Sequence, residues 1–217
     1  MNPPAVLVMA RAPRRGEVRR ALEPMIGPEG CARLHAALIT QAVQWAREVA
    51  PDSVHVAYDP PDAGAEMRKL VGPGPVYLPQ SGAGIAARVA DAAARVFGGR
   101  PGPLVIVWPD LPRLRPEHAS AALDDLAAGC DLSLGPVIGG GFYLVAMPRP
   151  IRQLFELPEQ MWRSQDGVTA GLVAARESGL EVGIVRGERA LHRPSDLRAA
   201  LADPLVAPGL RRILGEA

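Results

Sequence analysis

The chain has 217 residues, of which 48% are hydrophobic and 22% are charged, and its formal net charge is +1. These values are typical of one large globular domain with a substantial core. A nearly neutral chain does not have the basic surface of a nucleic-acid-binding protein, and no apolar run approaches the roughly 20 residues that span a bilayer. The start of the sequence lacks the pattern of a signal peptide, so we expect a cytoplasmic protein.

Strand and helix patterns alternate through the first 130 residues. This rhythm favours one α/β domain over residues 1–217, with a mixed, mainly parallel sheet flanked by helices. Strands are predicted at 5–10, 54–58, 76–79, 104–108, 131–134, 142–147 and 180–185. Helices are predicted at 28–50, 66–70, 85–97, 116–128, 150–156 and 166–178, followed by terminal helices. The strand at 142–147 follows its predecessor without an intervening helix, so we expect it to be antiparallel.

A basic loop follows the first predicted strand. The loop covers residues 11–20 and contains five arginines and one glycine: Arg11, Arg14, Arg15, Gly16, Arg19 and Arg20. A buried strand followed by a glycine-containing basic loop is a recurrent arrangement for binding a nucleotide phosphate. The alternative is a solvated cluster of arginines, and the sequence leaves both open.

A second loop, at residues 80–84, precedes the predicted helix at 85–97. It begins with Gln80, and Arg88 lies on the first turn of the helix. Glycines before a helix N-terminus admit a phosphate or a base, although the pattern is weak by itself.

The strand that ends at Asp110 is the most informative stretch. An apolar run at 104–108 stops at a carboxylate held between Pro109 and Pro112. Ligands of open α/β sheets bind outside the carboxyl ends of such strands, where a carboxylate can hold a divalent cation or a substrate hydroxyl. The alternative is that Asp110 opens a turn or caps the next helix.

Three consecutive glycines, Gly139 to Gly141, separate the strands at 131–134 and 142–147. Glycine weakens strands unless a positive φ or a close backbone approach is needed, so this run is a candidate substrate contact. A bulge or crossover between the strands is the alternative.

The order of these features resembles a bacterial family of glycosyltransferase-like proteins, described as nucleotide-diphospho-sugar transferases and similar to the archaeal 2-phospholactate guanylyltransferase. The resemblance extends from Ala5 to Leu197. The family's motif positions are matched here by Arg11, Pro13, Gly16, Val18, Leu22, Gln80, Arg88, Asp110, Pro112, Gly135, Pro136, Gly140, Gly141, Phe142, Tyr143, Leu144, Trp162, Ser164, Pro194, Asp196 and Leu197. Arg19 stands conservatively for the family's lysine.

The resemblance implies a single-domain, Rossmann-like GT-A fold that binds a nucleotide and usually a divalent cation, Mg²⁺ or Mn²⁺. Asp110 stands where related nucleotidyltransferases hold the metal, but Gly139, Ala190 and His192 stand where the family has aspartates. An imidazole tolerates Mn²⁺ better than Mg²⁺, so Asp110 and His192 are the candidate metal ligands. The arginines of the first loop could replace part of the charge that a metal provides.

The sequence therefore predicts an enzyme that transfers a nucleotidyl or glycosyl group from a nucleoside triphosphate or nucleotide sugar to a small acceptor. Asp110 and Arg19 are the candidate catalytic residues. The nucleotide ligands would be Arg11, Arg14, Gly16, Arg19, Arg20, Gln80 and Arg88, and the substrate ligands Gly139, Gly140, Gly141 and Trp162. The alternative is a catalytically degenerate member that binds a nucleotide or docks a partner. A dinucleotide-binding oxidoreductase is set aside, because the Gly-x-Gly-x-x-Gly fingerprint is absent.

Overall fold

A computed structural model describes residues 2–156, 162 and 165–215. Short 3₁₀ helices span Arg20–Leu22 and Pro61–Ala63. The strands are β1 (Ala5–Arg11), β2 (Val54–Asp59), β3 (Val76–Pro79), β4 (Leu104–Val107), β5 (Leu132–Pro136), β6 (Phe142–Met147) and β7 (Val182–Ile184). The helices are α1 (Glu23–Val49), α2 (Gly64–Val71), α3 (Gly84–Gly99), α4 (Pro116–Ala127), α5 (Arg152–Glu156), α6 (Gln165–Glu177), α7 (Pro194–Ala202) and α8 (Pro208–Gly215).

The strands form one sheet in the order β3-β2-β1-β4-β6-β5-β7. β6 is antiparallel to both neighbours, and every other pair is parallel. This confirms the predicted mixed sheet and the antiparallel orientation of the strand at 142–147. β1, β4 and β6 are central and almost wholly buried, which explains their uninterrupted apolar sequences.

Helices cover both faces of the sheet. One buried cluster joins α1, α2 and α4 to one face, and a second joins α3, α5 and α6 to the other. A third cluster lies beyond the sheet, where α7 and α8 pack against the first half of α1. Among the described helices, none is long and apolar enough to cross a membrane.

The first helix begins five residues before its predicted start. Its turn at Glu23 is separated from the rest by Gly27, which has a non-helical conformation with φ 65° and ψ 168°. Pro28 then occupies the first position of the regular helix, where its missing N–H costs nothing. The predicted start at residue 28 therefore marks the regular part of α1.

The sheet has a topological switch between β1 and β4. The chain passes from β1 outward to β2 and β3, then returns to place β4 on the other side of β1. The carboxyl ends of these four parallel strands share one edge with the start of antiparallel β6. Such a switch leaves a crevice between the loops, which is where open α/β sheets bind ligands.

Candidate functional site

Two distant stretches of chain meet at Asp110, just beyond the end of β4. The Asp110 N–H donates to the Trp108 carbonyl oxygen at 2.9 Å, so the chain turns sharply around Pro109. The segment before α7 docks at the same place, because the Leu191 N–H donates to the Asp110 carbonyl oxygen at 2.9 Å. His192 follows directly and is thereby brought to the switch point.

Arg19 holds these stretches together. From Nη2 it donates to Asp110 Oδ1 and to the Pro109 carbonyl oxygen, both at 2.8 Å, and from Nη1 to the Leu191 carbonyl oxygen at 2.7 Å. Only 5% of its side chain is exposed, and its backbone has a left-handed φ of 51°, which costs a non-glycine residue about 1–2 kcal/mol. The Arg19 guanidinium is therefore bonded to Asp110 and to two backbone carbonyl oxygens, and it is not free to bind a phosphate as the sequence predicted.

His35, on α1, extends this network inward. Arg19 Nε donates to His35 Nδ1 at 3.2 Å, so the neutral ring carries its proton on Nε2, which lies 3.1 Å from the Arg11 carbonyl oxygen. Burial of the ring, aided by the positive charge of Arg19, lowers the pKa of His35 to about 4. The imidazole is therefore uncharged at neutral pH and orients Arg19.

Asp110 remains ionised in this environment. Burial raises its pKa, but the hydrogen bond with His192 and the charge of Arg19 outweigh burial and hold the pKa of the carboxyl well below its ordinary value. Asp110 Oδ2 lies 3.5 Å from His192 Nε2, and the two side chains are 26% and 47% exposed. The carboxylate is thus fixed by Arg19 on its inner side and faces an accessible imidazole on its outer side.

Two pockets share Asp110 and His192 as a common wall. The first, which we call the loop pocket, has a volume of about 280 Å³ and is lined by Arg11, Glu17, Val18, Arg19, His35, Asp110, Leu191 and His192. The second, the aromatic pocket, has a volume of about 270 Å³ and is lined by Trp108, Asp110, Gly140, Gly141, Phe142, Trp162 and His192. The Asp110–His192 pair therefore lies where the loop pocket and the aromatic pocket meet.

An open group of ion pairs lies where β1 and β2 end and α3 begins. The Asp59 carboxylate is 3.2 Å from Arg88 Nη1 and 3.7 Å from Arg11 Nε. Asp59 is 15% exposed, whereas the Arg11 and Arg88 side chains are 53% and 38% exposed. Pairs this exposed contribute little to stability, so both guanidinium groups can exchange Asp59 for a ligand at small cost.

The other predicted ligands in the basic loop lie elsewhere. Arg14 pairs with Asp62 and Glu66 at 3.2 and 3.1 Å, which directs it toward α2. Gly16 and Arg20 are exposed, and Gly16 has a φ of 72° that suits glycine. The five arginines therefore do not form one phosphate-binding cluster.

Gln80 joins strands together. Its side-chain amide donates to the carbonyl oxygens of Ala10 and Ala57, at 3.1 and 2.9 Å. The Gln80 N–H also donates to the Tyr58 carbonyl oxygen at 2.9 Å. The residue thus fixes the ends of β1, β2 and β3, which is a structural role beside any contact with a base.

The glycine run forms the tight turn between β5 and β6. Gly139, Gly140 and Gly141 have φ values of 101°, 119° and 84°, all strained for other residues. The Val137 N–H donates to the Gly141 carbonyl oxygen, which closes the turn. Gly140 and Gly141 also line the aromatic pocket, whereas Gly139 is exposed and outside it.

Trp162 lines the aromatic pocket, and its role as a substrate ligand stays a prediction. Its partner in the family motif, Ser164, lies outside the described residues.

A family model described as "Uncharacterized protein conserved in bacteria (DUF2064)" matches residues 31–159, more than half of the chain. The chain belongs to the DUF2064 family. The matched range of this DUF2064 protein includes Asp110 and the glycine run, whereas the basic loop and His192 lie outside it. A comparison with curated proteins found no match.

The DUF2064 chain shares its fold with several solved structures. A protein from Desulfovibrio desulfuricans G20, provisionally described as a nucleotide-diphospho-sugar transferase, is 23% identical with a TM-score of 0.86 over 100% of this chain and 95% of that one. CMP:2-keto-3-deoxy-manno-octonic acid synthetase, solved with CTP, is 13% identical with a TM-score of 0.54, covering 90% and 95%. A 4-diphosphocytidyl-2C-methyl-D-erythritol synthase is also 13% identical with a TM-score of 0.54, covering 89% and 93%. These likenesses confirm the predicted transferase-type fold.

The predicted cation site of this DUF2064 protein has few donors. Asp110 and His192 are together, but the other Asp110 oxygen is bonded to the Arg19 guanidinium at 2.8 Å. Within the described part of the chain, no three His, Cys, Asp or Glu side chains cluster as metal ligands would. Hard divalent cations require several oxygen ligands, and the Arg19 charge opposes a second cation on the same carboxylate. Asp110 and His192 alone therefore do not fit a resident cation, and a cation that binds there together with a nucleotide stays a prediction.

Several residues of the site were not singled out from the sequence, among them Asp59, His35 and Trp108. Asp59 ends β2 at the same edge as Asp110, and the same argument about strand ends would have found it. His35 lies among apolar residues of α1, and only its tertiary contacts distinguish it. Trp108 was counted as the last apolar residue of a buried strand, although it is half-buried and lines a pocket.

Proposed function

We propose that this protein transfers a nucleotidyl or glycosyl group from a nucleoside triphosphate or nucleotide sugar to a hydroxyl group of a small acceptor. One observation carries the proposal: the Asp110–His192 pair is the shared wall of two pockets at the topological switch of the sheet. A transfer reaction requires such a junction, because the reacting atoms of two substrates must come within about 3–3.5 Å. The folds shared with nucleotide-diphospho-sugar transferases and a CTP-bound synthetase support the choice of donor.

The donor would bind in the loop pocket and beside it. Arg11 lines this pocket, and Arg88 shares Asp59 with it, so both can turn their guanidinium groups to phosphate oxygens. A phosphate group carries more charge than Asp59 and accepts bidentate hydrogen bonds from arginine, which favours the exchange. Glu17 at the same pocket disfavours a phosphate in direct contact with it, and so restricts where the donor lies.

His192 would act as the general base. Its Nε2 lies 3.5 Å from Asp110 Oδ2, so the tautomer with a proton on Nε2 would leave Nδ1 as the basic nitrogen. The acceptor hydroxyl would transfer its proton to Nδ1 while its oxygen attacks the α-phosphorus of a triphosphate, or the anomeric carbon of a nucleotide sugar. The bond to pyrophosphate, or to the nucleoside diphosphate, then breaks and the leaving group takes the electron pair beside Arg11 and Arg88. The Asp110 carboxylate stabilises the imidazolium formed in this step.

Arg19 and His35 would act as positioning residues. Arg19 fixes Asp110 from the inner side, and neutral His35 fixes Arg19. A carboxylate held in this way needs no reorganisation when charge develops on His192, which is the physical basis of electrostatic preorganisation. Under this proposal Asp110, which lines both pockets, keeps the catalytic role predicted from the sequence, whereas Arg19 acts through Asp110.

A turnover assay tests this proposal. The four ribonucleoside triphosphates and a set of UDP-, GDP- and CMP-sugars are each mixed with the protein and a pool of polyol acceptors, with EDTA or with Mn²⁺, and followed by ³¹P NMR. We expect one donor to be consumed and pyrophosphate or nucleoside diphosphate to appear. His192→Asn should slow turnover by roughly 10²–10⁴-fold, as for loss of a general base, with donor affinity changed less than threefold. His55→Asn, on β2 and outside both pockets, is the control and should keep full activity.

Two outcomes separate the alternatives. If no nucleotide at millimolar concentration raises the melting temperature, the donor assignment is wrong. If nucleotides raise it but no donor is consumed with any acceptor or metal, the degenerate binding module predicted as the alternative is the better description.

A further inference from the structure

The aromatic pocket has a wall of three packed rings. The centroids of Trp108 and Trp162 lie 6.2 Å apart at 55°, and those of Phe142 and Trp162 lie 6.3 Å apart at 79°. Phe142 and Trp162 are 7% and 5% exposed, whereas Trp108 is half-buried. Two buried rings therefore support a third that keeps part of its surface open toward the pocket.

The indole N–H of Trp162 has no hydrogen-bond partner in the described part of the chain. Trp162 Nε1 is buried and meets no hydrogen-bond acceptor among the described residues. The buried indole of Trp45, by contrast, donates to the Arg115 carbonyl oxygen at 2.8 Å, which is the usual arrangement. An oxygen atom of a bound molecule would satisfy the Trp162 donor.

The remaining walls of the aromatic pocket are small and polar. Gly140 and Gly141 contribute backbone without side chains, and Asp110 and His192 complete the described lining. Among the described lining residues there is no arginine or lysine, in contrast to the loop pocket with Arg11. A phosphate or carboxylate here would meet the Asp110 carboxylate with no arginine or lysine among the described lining residues beside it, whereas a neutral hydroxyl could donate a hydrogen bond to Asp110.

We infer that the aromatic pocket binds a neutral ring with several hydroxyl groups, a sugar or a cyclitol without a phosphate group. The apolar C–H face of the ring would lie on Trp108, one of its oxygens would accept from Trp162 Nε1, and a hydroxyl would donate to Asp110. A neighbouring hydroxyl then faces His192. That this ligand is the acceptor of the transfer rests on the proposed function, whereas its binding does not.

Ligand-observed saturation-transfer NMR on the full chain tests the inference. The probes are glucose and myo-inositol, their counterparts glucose 6-phosphate and myo-inositol 1-phosphate, and benzyl alcohol as a flat apolar ring without a polyol. We expect glucose or myo-inositol to bind at millimolar concentration and its phosphorylated counterpart to bind at least tenfold more weakly. Tighter binding of the phosphorylated probes, binding of benzyl alcohol alone, or no binding by any probe would each overturn the inference.

Three variants locate the ligand. Trp162→Phe keeps the ring but removes the N–H, and should weaken polyol binding about tenfold, the value of one hydrogen bond to a neutral group. Trp108→Leu should abolish the signal, and Trp45→Phe is the matched control that should leave it unchanged. Equal affinity of the Trp162→Phe variant and the wild type would contradict the role of the indole, and circular dichroism of each variant confirms that it is folded. The probe comparison on the wild type needs no variant.

The two proposals fail in distinguishable ways. If nucleotides raise the melting temperature and a donor is consumed while neutral polyols do not bind, the sugar or cyclitol assignment is wrong and the transferase stands. If polyols bind in the aromatic pocket but no donor is bound or consumed, the transferase proposal is wrong and the pocket assignment stands.

Discussion

Two carboxylates at the same edge of the sheet differ in their partners: Asp110 pairs with a buried arginine, and Asp59 pairs with two exposed ones. Asp110, after β4, is bonded to an arginine that is 5% exposed, and its neighbours His35 and Leu191 complete a buried network. Asp59, at the end of β2, is shared between Arg11 and Arg88, whose side chains are 53% and 38% exposed. The first arrangement is closed and the second is open.

The difference separates positioning from binding. A buried guanidinium with all its contacts to protein cannot turn toward a ligand without breaking the site, so Arg19 fixes Asp110. An exposed guanidinium loses little when it changes partner, so Arg11 and Arg88 are suited to take a phosphate. Variants at the closed end should therefore change stability, and variants at the open end should change ligand affinity.

The largest effect should come from Arg19→Met. Removing one partner of a buried ion pair leaves the other charge uncompensated, which typically costs about 3–5 kcal/mol. We expect a loss of this size in the free energy of unfolding, measured by urea denaturation. Arg20→Met, at the exposed neighbouring position, is the matched control and should change stability by less than about 0.5 kcal/mol. Similar losses at both positions would show that Arg19 is not part of a closed network.

The pH dependence of stability tests the neutral state of His35. The pKa of His35 is lowered from 6.5 to about 4. Between these two pH values the unfolded chain binds a proton at His35, whereas the folded protein does not. Stability should therefore fall as the pH drops from 6.5 to 4, by about 3 kcal/mol from this residue. The pKa values of His55 and His118 are also lowered, mainly by burial, so the informative quantity is a difference between variants.

His35→Gln removes the titrating group while keeping a donor and an acceptor. Urea denaturation at pH 7 and at pH 4.5 should give a smaller loss of stability for this variant than for the wild type. An equal loss of stability in the two proteins would mean that folded and unfolded chains bind a proton at His35 equally well at pH 4.5. The pKa of Asp110 is lowered in the folded protein, so this residue should reduce stability further only below its ordinary pKa of 3.8.

At the open end, Arg88→Gln and Arg11→Gln should each weaken nucleotide binding about tenfold, or about 1.4 kcal/mol, because each removes one charged phosphate contact. Calorimetric titration with the nucleotide that raises the melting temperature most measures this effect. Arg95→Gln is the matched control: Arg95 lies on α3 like Arg88 but pairs with Asp91 outside both pockets. Equal affinities in all four proteins would place the phosphates elsewhere.

The smallest effect should come from Asp59→Asn. This change removes the carboxylate that competes with a phosphate for Arg11 and Arg88, so nucleotide affinity should rise by a factor of about two to five, the range of exposed ion pairs. Stability should change by less than about 1 kcal/mol. A fall in affinity would instead make Asp59 a residue that positions the two arginines for the ligand.

The fold and the position of Asp110 in it could be predicted from the sequence, because both depend on local patterns. Uninterrupted apolar runs identified the central strands, and the end of one run placed Asp110 just beyond the carboxyl end of β4. The antiparallel orientation of β6 followed from the missing helix before it. The start of α1 was displaced only because one turn precedes the break at Gly27.

The roles of the arginines could not be read from the sequence, because they depend on contacts between distant residues. Arg19 is 91 positions from Asp110 and 172 from Leu191, and only the family resemblance distinguishes it from Arg20 in the basic loop. Arg14 likewise looks like a phosphate ligand until Asp62 and Glu66 are placed beside it. A cluster of charges in the sequence predicts a charged surface, whereas burial and partners decide which of those side chains can still bind a ligand.

The most direct measurement is a crystal structure with the nucleoside triphosphate that raises the melting temperature most. The central claim is that donor and acceptor meet at Asp110 and His192. We expect the phosphates in the loop pocket, with Arg11 and Arg88 turned from Asp59 to phosphate oxygens, and the reactive phosphorus facing His192 across the junction. Phosphates bound away from the loop pocket, with the Asp59 ion pairs intact, would contradict the claim.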